Sequence, residues 1–269
     1  MRRRAILENL HRRIGTGKAV LAAGCSAGII ARSADEVGAD LIVVYSTGKS
    51  RLMGLPTWRF GDSNRGTLDM AAEILNVVVS TPVVGGIEAN DPTRRDLGAL
   101  LDRFEEAGFA GVINFPTLTN MPDQRRRAEM VGYGFGREVD AIALARSRDL
   151  FTMAYVASAE DSAAMAAAGA DVIVTHSGPT TGGRVGYEDD RSVDAVCRQA
   201  QSLIDAAIAE NPDVIPLLHG GRLATPAEVR QALVATSAVG FVGASSIERI
   251  PVERAIRSVV REFRELPTA

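Results

Sequence analysis

The chain has few of the residues on which several common chemistries depend. Lys18 and Lys49 are its only two lysines, and only Lys49 closely follows a predicted strand. A Schiff-base aldolase needs a lysine at a strand end of its barrel, so this reaction would depend on Lys49 alone. The two cysteines, Cys25 and Cys197, lack metal-type spacing and are interpreted as reduced thiols. Cys25 is kept as an alternative nucleophile, although a small buried side chain is its commoner role.

Long apolar runs and a strong charge of one sign are also missing. No apolar segment reaches the roughly 20 residues that a membrane-spanning helix needs. The arginines at residues 2–4 are not followed by the long apolar segment of a signal peptide. The formal charge is −3, which gives no electrostatic basis for binding nucleic acid or an anionic membrane. We therefore expect a cytoplasmic protein with neither of these partners.

Short apolar segments alternate with helical patterns along the whole chain. Continuous apolar strands are expected where helices cover a parallel sheet. With 269 residues and no linker, the chain predicts an α/β fold, one (β/α)8 TIM-barrel domain over residues 1–269 with an extra N-terminal helix over 1–18. An open doubly wound sheet is the alternative, but no G-x-G-x-x-G follows the first strand. The predicted strands are 19–23, 41–45, 82–86, 111–115, 151–156, 172–175, 214–218 and 240–243.

Glycine and capping residues mark the ends of several predicted helices. Gly38, Gly108 and Gly169 each stand between a helical pattern and a strand, as expected of a left-handed C-cap. Thr225 and Glu228, with a proline after the threonine, form the pattern of a capping box. Two connections, 46–69 and 116–136, are unusually long and predict lids, substrate loops or oligomer contacts. With the N-terminal helix, these loops favour a homo-oligomer.

Chemistry is expected at the carboxyl ends of the strands, where the active sites of this fold lie. Two of the three histidines, His176 and His219, end adjacent strands, and Glu88 follows the third strand. We predict that His176 and Glu88 form an acid/base pair and that His219 orients or binds the substrate. The alternatives are structural histidines bonded to loop carbonyls, a two-histidine metal site, and a salt bridge from Glu88 to an arginine.

Glycine, serine and threonine follow the last three strands. Their backbone N–H groups and hydroxyls are suited to a phosphate or carboxylate. The sequence therefore predicts a small anionic substrate, held or surrounded by Ser46, Asn114, Tyr155, Thr180, Thr181, Gly182, Gly183, Gly220, Gly221, Gly243, Ser245 and Ser246.

Four segments of the chain resemble one known family. They are N-F-P-T from Asn114, A-G-A-D-V-I-V-T-H-S-G-P-T-T-G-G around His176, L-H-G-G around His219 and G-F-V-G-A-S-S-I-E-R-I-P from Gly240. Together they are similar to the phosphoenolpyruvate hydrolase-like family of TIM-barrel proteins over nearly the whole chain. The same barrel is similar to the C-terminal domain of a plant virus-resistance protein.

The resemblance implies a reaction and a metal. The family is related in fold to phosphoenolpyruvate mutase and phosphonopyruvate hydrolase, which bind Mg2+ and an oxo acid through clustered carboxylates. Mg2+ is therefore implied here as well, while no organic cofactor is evident. The chain departs from these enzymes by lacking their E-D-K-type loop. It keeps the Asp-Pro pair of the family that it resembles as Asp91-Pro92, whereas Glu88 and Asn90 differ from the residues usual at those positions.

These observations predict a hydrolase or lyase that acts on a small oxo acid or phosphorylated acid, such as phosphoenolpyruvate or phosphonopyruvate, through an enolate. The alternative from a different class is a non-catalytic barrel that senses a ligand or binds a protein. The fold is the same in both cases, so only the site can distinguish them.

Overall fold

Eight parallel strands close into a barrel in the order of the chain, as the computed structural model describes for residues 1–268. Every strand pairs with its sequence neighbours, and β8 closes the ring by pairing with β1. Each predicted apolar segment overlaps one strand, so the predicted (β/α)8 barrel is confirmed. The strands are β1 Val20–Gly24, β2 Leu41–Val44, β3 Val83–Gly86, β4 Gly111–Ile113, β5 Phe151–Val156, β6 Val172–His176, β7 Ile215–His219 and β8 Gly240–Gly243.

Eleven helices lie along the described chain, most of them outside the barrel. The predicted glycine C-caps are confirmed, because Gly38, Gly108 and Gly169 have φ values of 80°, 95° and 86°. The helices are α1 Arg3–Gly15, α2 Gly28–Glu36, α3 Gly48–Leu52, α4 Ser63–Leu75, α5 Leu97–Glu106, α6 Pro122–Glu129, α7 Gly136–Ser147, α8 Ala159–Ala167, α9 Val193–Glu210, α10 Pro226–Ala235 and α11 Arg249–Arg264.

The N-terminal helix closes the end of the barrel where the strands begin. Ile6 and Leu10 of α1 are buried together with the side chains that fill the barrel interior. Arg3 donates to Asp171, just before β6, at 2.6 Å. The apolar face of α1 is therefore covered by its own barrel and is not free for self-association.

The two long connections contain helices that the sequence pattern does not reveal. The connection after β2 holds α3 and the start of α4, and the connection after β4 holds α6. None of the α6 residues is buried, so it lacks the apolar periodicity by which a helix is recognised in a sequence. Both connections fold over the carboxyl ends of the strands and form part of the wall of the candidate site. No helix among residues 1–268 has the length and apolar character needed to cross a membrane.

The helix after β7 begins with the predicted capping box. The Thr225 hydroxyl accepts from the Glu228 backbone N–H, and the Glu228 carboxylate accepts from the Thr225 backbone N–H at 2.9 Å. Thr225→Ala should lower the free energy of unfolding by about 1 kcal/mol, because it leaves an N-terminal N–H of α10 without its acceptor. Urea unfolding measures this loss. Val234→Ala serves as the control, since Val234 is on the same helix and 86% exposed. A loss of equal size in both variants would contradict the assigned cap.

Candidate active site

A cavity of about 270 Å³ opens at the carboxyl ends of the strands. Its wall comes from the ends of β2, β4, β6, β7 and β8 and from the two long connections. Among the predicted site residues, His176, His219, Thr180 and Ser245 line this cavity directly. Arg51, Trp58 and Arg59 line it from the first long connection, and Asn120 lines it from the second.

The two histidines face each other because β6 and β7 pair in register. His176 lies opposite His219 in the strand ladder, and their ring centroids are 4.9 Å apart. Tyr155 of β5 packs beneath both rings, with centroid distances of 5.0 Å and 4.9 Å. Packing against the Tyr155 ring fixes the orientation of both imidazoles, and both histidine side chains are buried.

Backbone contacts give His176 a hydrogen-bond donor toward the cavity. The Gly178 backbone N–H donates to His176 Nδ1 at 3.0 Å, and the Asn120 Nδ2 lies 2.7 Å from the same nitrogen. A nitrogen that accepts from a backbone N–H carries no proton, so the neutral ring holds its proton on Nε2. Burial lowers the pKa of His176 well below its usual value, and the neighbouring His219 lowers it further. His176 is therefore a neutral imidazole with its proton on Nε2, a nitrogen that lies 3.3 Å from the Asn120 Nδ2.

His219 has the opposite arrangement. Its Nδ1 lies 2.7 Å from the Val242 carbonyl oxygen, which can only accept, so Nδ1 carries the proton. Nε2 is then left with its lone pair, and the bond to Val242 is the one hydrogen bond that the His219 ring makes within residues 1–268. Burial lowers the pKa of His219 to about 4. The pair thus offers one donor and one acceptor to a molecule lying in the cavity that both rings line.

Glu88 lies outside this cavity, in a neighbouring cleft with Asp62 and Asp91. Its carboxylate accepts from Arg59, whose side chain lies between the cleft and the cavity. Burial raises the pKa of Glu88, and the charge of Arg59 opposes that rise. Glu88 therefore holds Arg59 at the cavity wall and does not face His176, so the predicted pairing of Glu88 with His176 lacks direct contact.

The glycines after β6 and β7 hold two loops together. Gly221 donates its backbone N–H to the Gly178 oxygen at 2.9 Å, and Thr181 donates to the Gly221 oxygen at 3.0 Å. At Gly220, with φ of 80°, a Cβ would lie 2.1 Å from the Gly178 oxygen. These contacts support the cavity wall from behind. The predicted residues that do not line the cavity are Ser46, Asn114, Tyr155, Thr181, Gly182, Gly183, Gly220, Gly221, Gly243 and Ser246, and their binding roles stay predictions.

Two buried carboxylates that the sequence reasoning missed support the site. Glu138 of α7 accepts from Asn114 at 2.8 Å and from Thr117 at 2.6 Å, and burial raises its pKa to about 7. Glu248 pairs with Arg51, and both side chains are almost completely buried. Glu138 lies within α7 and Glu248 in the turn before α11, and neither position gives a sequence signal for such a role. Arg51 and Arg59 lie in the connection after β2. The unusual length of this connection was the only feature of the sequence that pointed to them.

The remaining nucleophile candidates do not reach the cavity wall. Lys49 is exposed on α3 and lies outside the lining. Cys25 is buried, and burial raises the pKa of its thiol, which disfavours the reactive thiolate.

The side chains around the cavity do not fit the Mg2+ site that the resemblance implies. Mg2+ prefers oxygen ligands, carboxylates above all, and none of the described residues that line the cavity is aspartate or glutamate. Asp91 in the neighbouring cleft already accepts from Thr93 at 2.7 Å. Within residues 1–268, no group of three or more histidine, cysteine, aspartate or glutamate side chains is arranged to hold a metal ion.

Comparison with known proteins shows how far this architecture is shared. The phosphoenolpyruvate hydrolase-like family model matches residues 5–266. Two tomato (Solanum lycopersicum) proteins, the ToMV susceptible protein tm-1(GCR26) and the ToMV resistance protein Tm-1(GCR237), are 40% and 39% identical over 274 residues. The match covers 98% of this chain and 36% of each tomato protein, so the chain spans about a third of their length. The structure of phosphonopyruvate hydrolase in complex with oxalate and Mg2+ superposes with a TM-score of 0.66 at 19% identity, over 98% of this chain and 92% of that one.

Protonation of His219 should make the fold less stable at mildly acidic pH. Its pKa is about 4 in the folded chain and near 6.5 for an unperturbed histidine. Between these values the unfolded chain binds a proton that the folded chain does not, so the free energy of unfolding falls as the pH drops. Between pH 7 and pH 5 the free energy of unfolding should fall less in His219→Gln than in the wild type, by about 1–2 kcal/mol. Urea unfolding at both pH values measures this difference.

The third histidine provides the control for this experiment. His11→Gln makes the same substitution at an exposed position of α1, outside the cavity. An unchanged loss of stability between pH 7 and pH 5 in His219→Gln would contradict the neutral, buried state of that ring.

Proposed function

The chain belongs to the phosphoenolpyruvate hydrolase-like family, and from this premise we propose that it is a hydrolase or lyase that cleaves a small oxo acid in the cavity. The observation that carries the proposal is the pair of neutral histidines, one a donor and the other an acceptor, beside an arginine. The substrate has a carboxylate, a carbonyl group next to it, and a group that can leave the carbon beyond the carbonyl.

The charge and size of the cavity support a small anion. Arg51 and Arg59 line the wall, while the carboxylates that pair with them, Glu248 and Glu88, lie behind it. The positive groups therefore face the cavity and the negative groups do not. A volume of about 270 Å³ is near the lower limit for ligand pockets, which suits an acid of a few carbons. In this proposal Arg59 binds the carboxylate, because its guanidinium is the less buried of the two.

The histidine pair supplies the chemistry. His176 Nε2–H donates to the carbonyl oxygen, and this hydrogen bond strengthens as negative charge develops on that oxygen. His219 Nε2 accepts a proton from water as the water oxygen bonds to the departing group. An anion in the cavity beside His219 favours the protonated form of this ring, so binding of the substrate raises the pKa of this base.

The step balances as a hydrolysis. The bond between the departing group and the carbon next to the carbonyl breaks, and its electron pair forms an enolate whose oxygen His176 holds. The departing group leaves with the water oxygen and one hydrogen. The second water hydrogen, carried by His219, returns to the enolate carbon and releases the oxo acid.

The similarity to phosphonopyruvate hydrolase supports an oxo-acid substrate, and its bound oxalate is a small dicarboxylate. The two proteins differ in metal binding in this proposal, because this cavity lacks the carboxylates that Mg2+ prefers. We therefore propose that positive charge from arginine and the Nε2–H of His176 stabilise the enolate here.

A second candidate function is ligand binding without turnover. The observation that favours it is the strong burial of both histidines, which lowers their pKa values and makes each a weak base. The tomato relatives are named for susceptibility and resistance to a virus, which is not a catalytic description. Both candidates use the same cavity and differ in what His219 does.

Turnover of a panel of acids tests the proposal. Phosphonopyruvate, oxaloacetate, phosphoenolpyruvate and 4-hydroxy-2-oxo acids are incubated with the chain, with and without EDTA, and oxo-acid or phosphate release is measured. We expect release that EDTA does not abolish. His219→Gln should lower kcat about 10²–10⁴-fold, the usual contribution of general acid/base catalysis. Arg59→Met should mainly raise KM, because it removes the group that binds the carboxylate.

Arg126→Met is the matched control, because Arg126 is on α6 near the cavity and its side chain is 76% exposed. This variant should behave like the wild type. Calorimetric titration with the same acids separates the two candidate functions. Binding that Arg59→Met abolishes and His219→Gln preserves, without release of product from any acid, would support a binding module and contradict the hydrolase proposal.

A further inference from the structure

A second cavity of about 510 Å³ lies beside the candidate site, between the connection after β2 and the connection after β6. Over the described part of the chain its lining contains no charged side chain, whereas Arg51 and Arg59 line the candidate site. We call it the apolar cavity, because it is lined mainly by Leu55, Pro56, Trp58, Phe60, Val185 and Tyr187.

Several side chains of the apolar cavity are costly to leave in water. Leu55, Trp58 and Phe60 are 46%, 61% and 49% exposed, and the preceding Leu52 and Met53 are exposed as well. These five large apolar side chains come from one short stretch of the connection after β2. An exposed apolar patch of this kind is typical of a surface that binds a ligand or a partner.

The apolar cavity and the candidate site meet at two aromatic side chains. Trp58 and Tyr187 line both of them. Hydrogen bonds fix the backbone at this boundary, because the Tyr187 hydroxyl donates to the Thr57 oxygen at 2.9 Å and the Trp58 backbone N–H donates to the Ser50 hydroxyl at 3.0 Å. A group attached to a molecule in the candidate site therefore reaches the apolar cavity at these side chains.

The position of Arg59 indicates which end of a substrate enters the apolar cavity. Trp58 and Phe60 line the apolar cavity, while Arg59 between them lines the candidate site and the cleft that contains Glu88. That cleft shares no lining residue with the apolar cavity. The carboxylate on Arg59 therefore lies on the charged side of the candidate site. The departing group at the other end of the substrate is left for the uncharged side.

We propose that the substrate is a 2,4-dioxo acid whose departing group is an apolar acyl group, and that this acyl group binds in the apolar cavity. The inference rests on the proposed function and names the substrate class of the same site. The departing group has to accept the oxygen of water, as the carbonyl carbon of an acyl group does. A phosphono group also accepts it, but a charged group does not suit a lining without charge.

The step balances for such a substrate. The bond between carbons 3 and 4 breaks, and its electron pair forms the enolate of pyruvate, whose oxygen His176 holds. The water oxygen, with one hydrogen, bonds to carbon 4 and completes a carboxylic acid that carries the apolar group. The second water hydrogen moves from His219 to carbon 3, which gives pyruvate.

Hydrolysis of 2,4-dioxo acids of different length tests the proposal. Pyruvate release is measured from acetylpyruvate and from hexanoylpyruvate. We expect kcat/KM to be about 10–100-fold higher for the hexanoyl acid, since each CH2 group that leaves water contributes a factor of about four. Phe60→Asp and Leu55→Asp should each lower this ratio about 10-fold, because each places a charge beside the acyl chain.

The ratio of the two acids distinguishes a contact with the acyl group from a structural defect, which would lower kcat/KM for both acids alike. Phe60 and Leu55 are half exposed, so the variants should fold, which circular dichroism checks. Val79→Asp is the control and should keep the wild-type ratio, because Val79 is 92% exposed and lines neither cavity.

The other outcomes separate this inference from the proposed function. Equal kcat/KM for both acids, or a wild-type ratio in Phe60→Asp, would overturn the binding of the acyl group and leave the hydrolysis in place. Calorimetric titration that shows tighter binding of the hexanoyl acid, without pyruvate release, would overturn the hydrolysis and retain the binding of the acyl group. A Phe60→Asp variant with a wild-type ratio and a changed mass in sedimentation equilibrium would assign the apolar cavity to a contact between copies.

Discussion

The in-register pairing of β6 with β7 is the constraint on which the candidate site depends. It places His176 beside His219, and the backbone around each strand end then decides which ring nitrogen carries the proton. Gly178 turns a backbone N–H toward one ring, and Val242 turns a carbonyl toward the other. Two identical side chains thereby acquire opposite hydrogen-bonding roles. A shift of the register by one residue would turn one histidine out of the barrel interior and remove the pair.

A second principle is the separation of charge across the cavity wall. Arginines face the cavity, and the carboxylates that neutralise them lie behind it, as in the buried pair of Arg51 with Glu248 and the half-buried pair of Arg59 with Glu88. Burying a guanidinium without a partner would be costly, so the carboxylates make the arginines possible at these positions. The result is a cavity whose described lining carries arginine and histidine but no aspartate or glutamate.

Much of the fold, and the histidine pair, could be predicted from the sequence because their signals are local. Continuous apolar segments gave the strands, glycines gave the helix ends, and two histidines at the ends of consecutive strands indicated a shared site. The parts that the sequence did not reveal depend on contacts between distant residues. Glu88 pairs with Arg59 across 29 positions and lies in a neighbouring cleft, outside the cavity that the histidines line. Gly221 exchanges backbone hydrogen bonds with the loop after β6, and Gly220 lies close to the Gly178 oxygen of that loop. Glu138 has no distinguishing pattern in its helix, and its role depends on Asn114 and Thr117.

The protonation of the two histidine rings can be observed directly. Two-dimensional 1H–15N spectra that use long-range couplings distinguish the two neutral tautomers and the imidazolium form. The chain has only three histidines, so single glutamine variants assign every signal. At pH 7 we expect two neutral rings, with the proton on Nε2 in His176 and on Nδ1 in His219. A charged ring at either position, or the same tautomer at both, would contradict it.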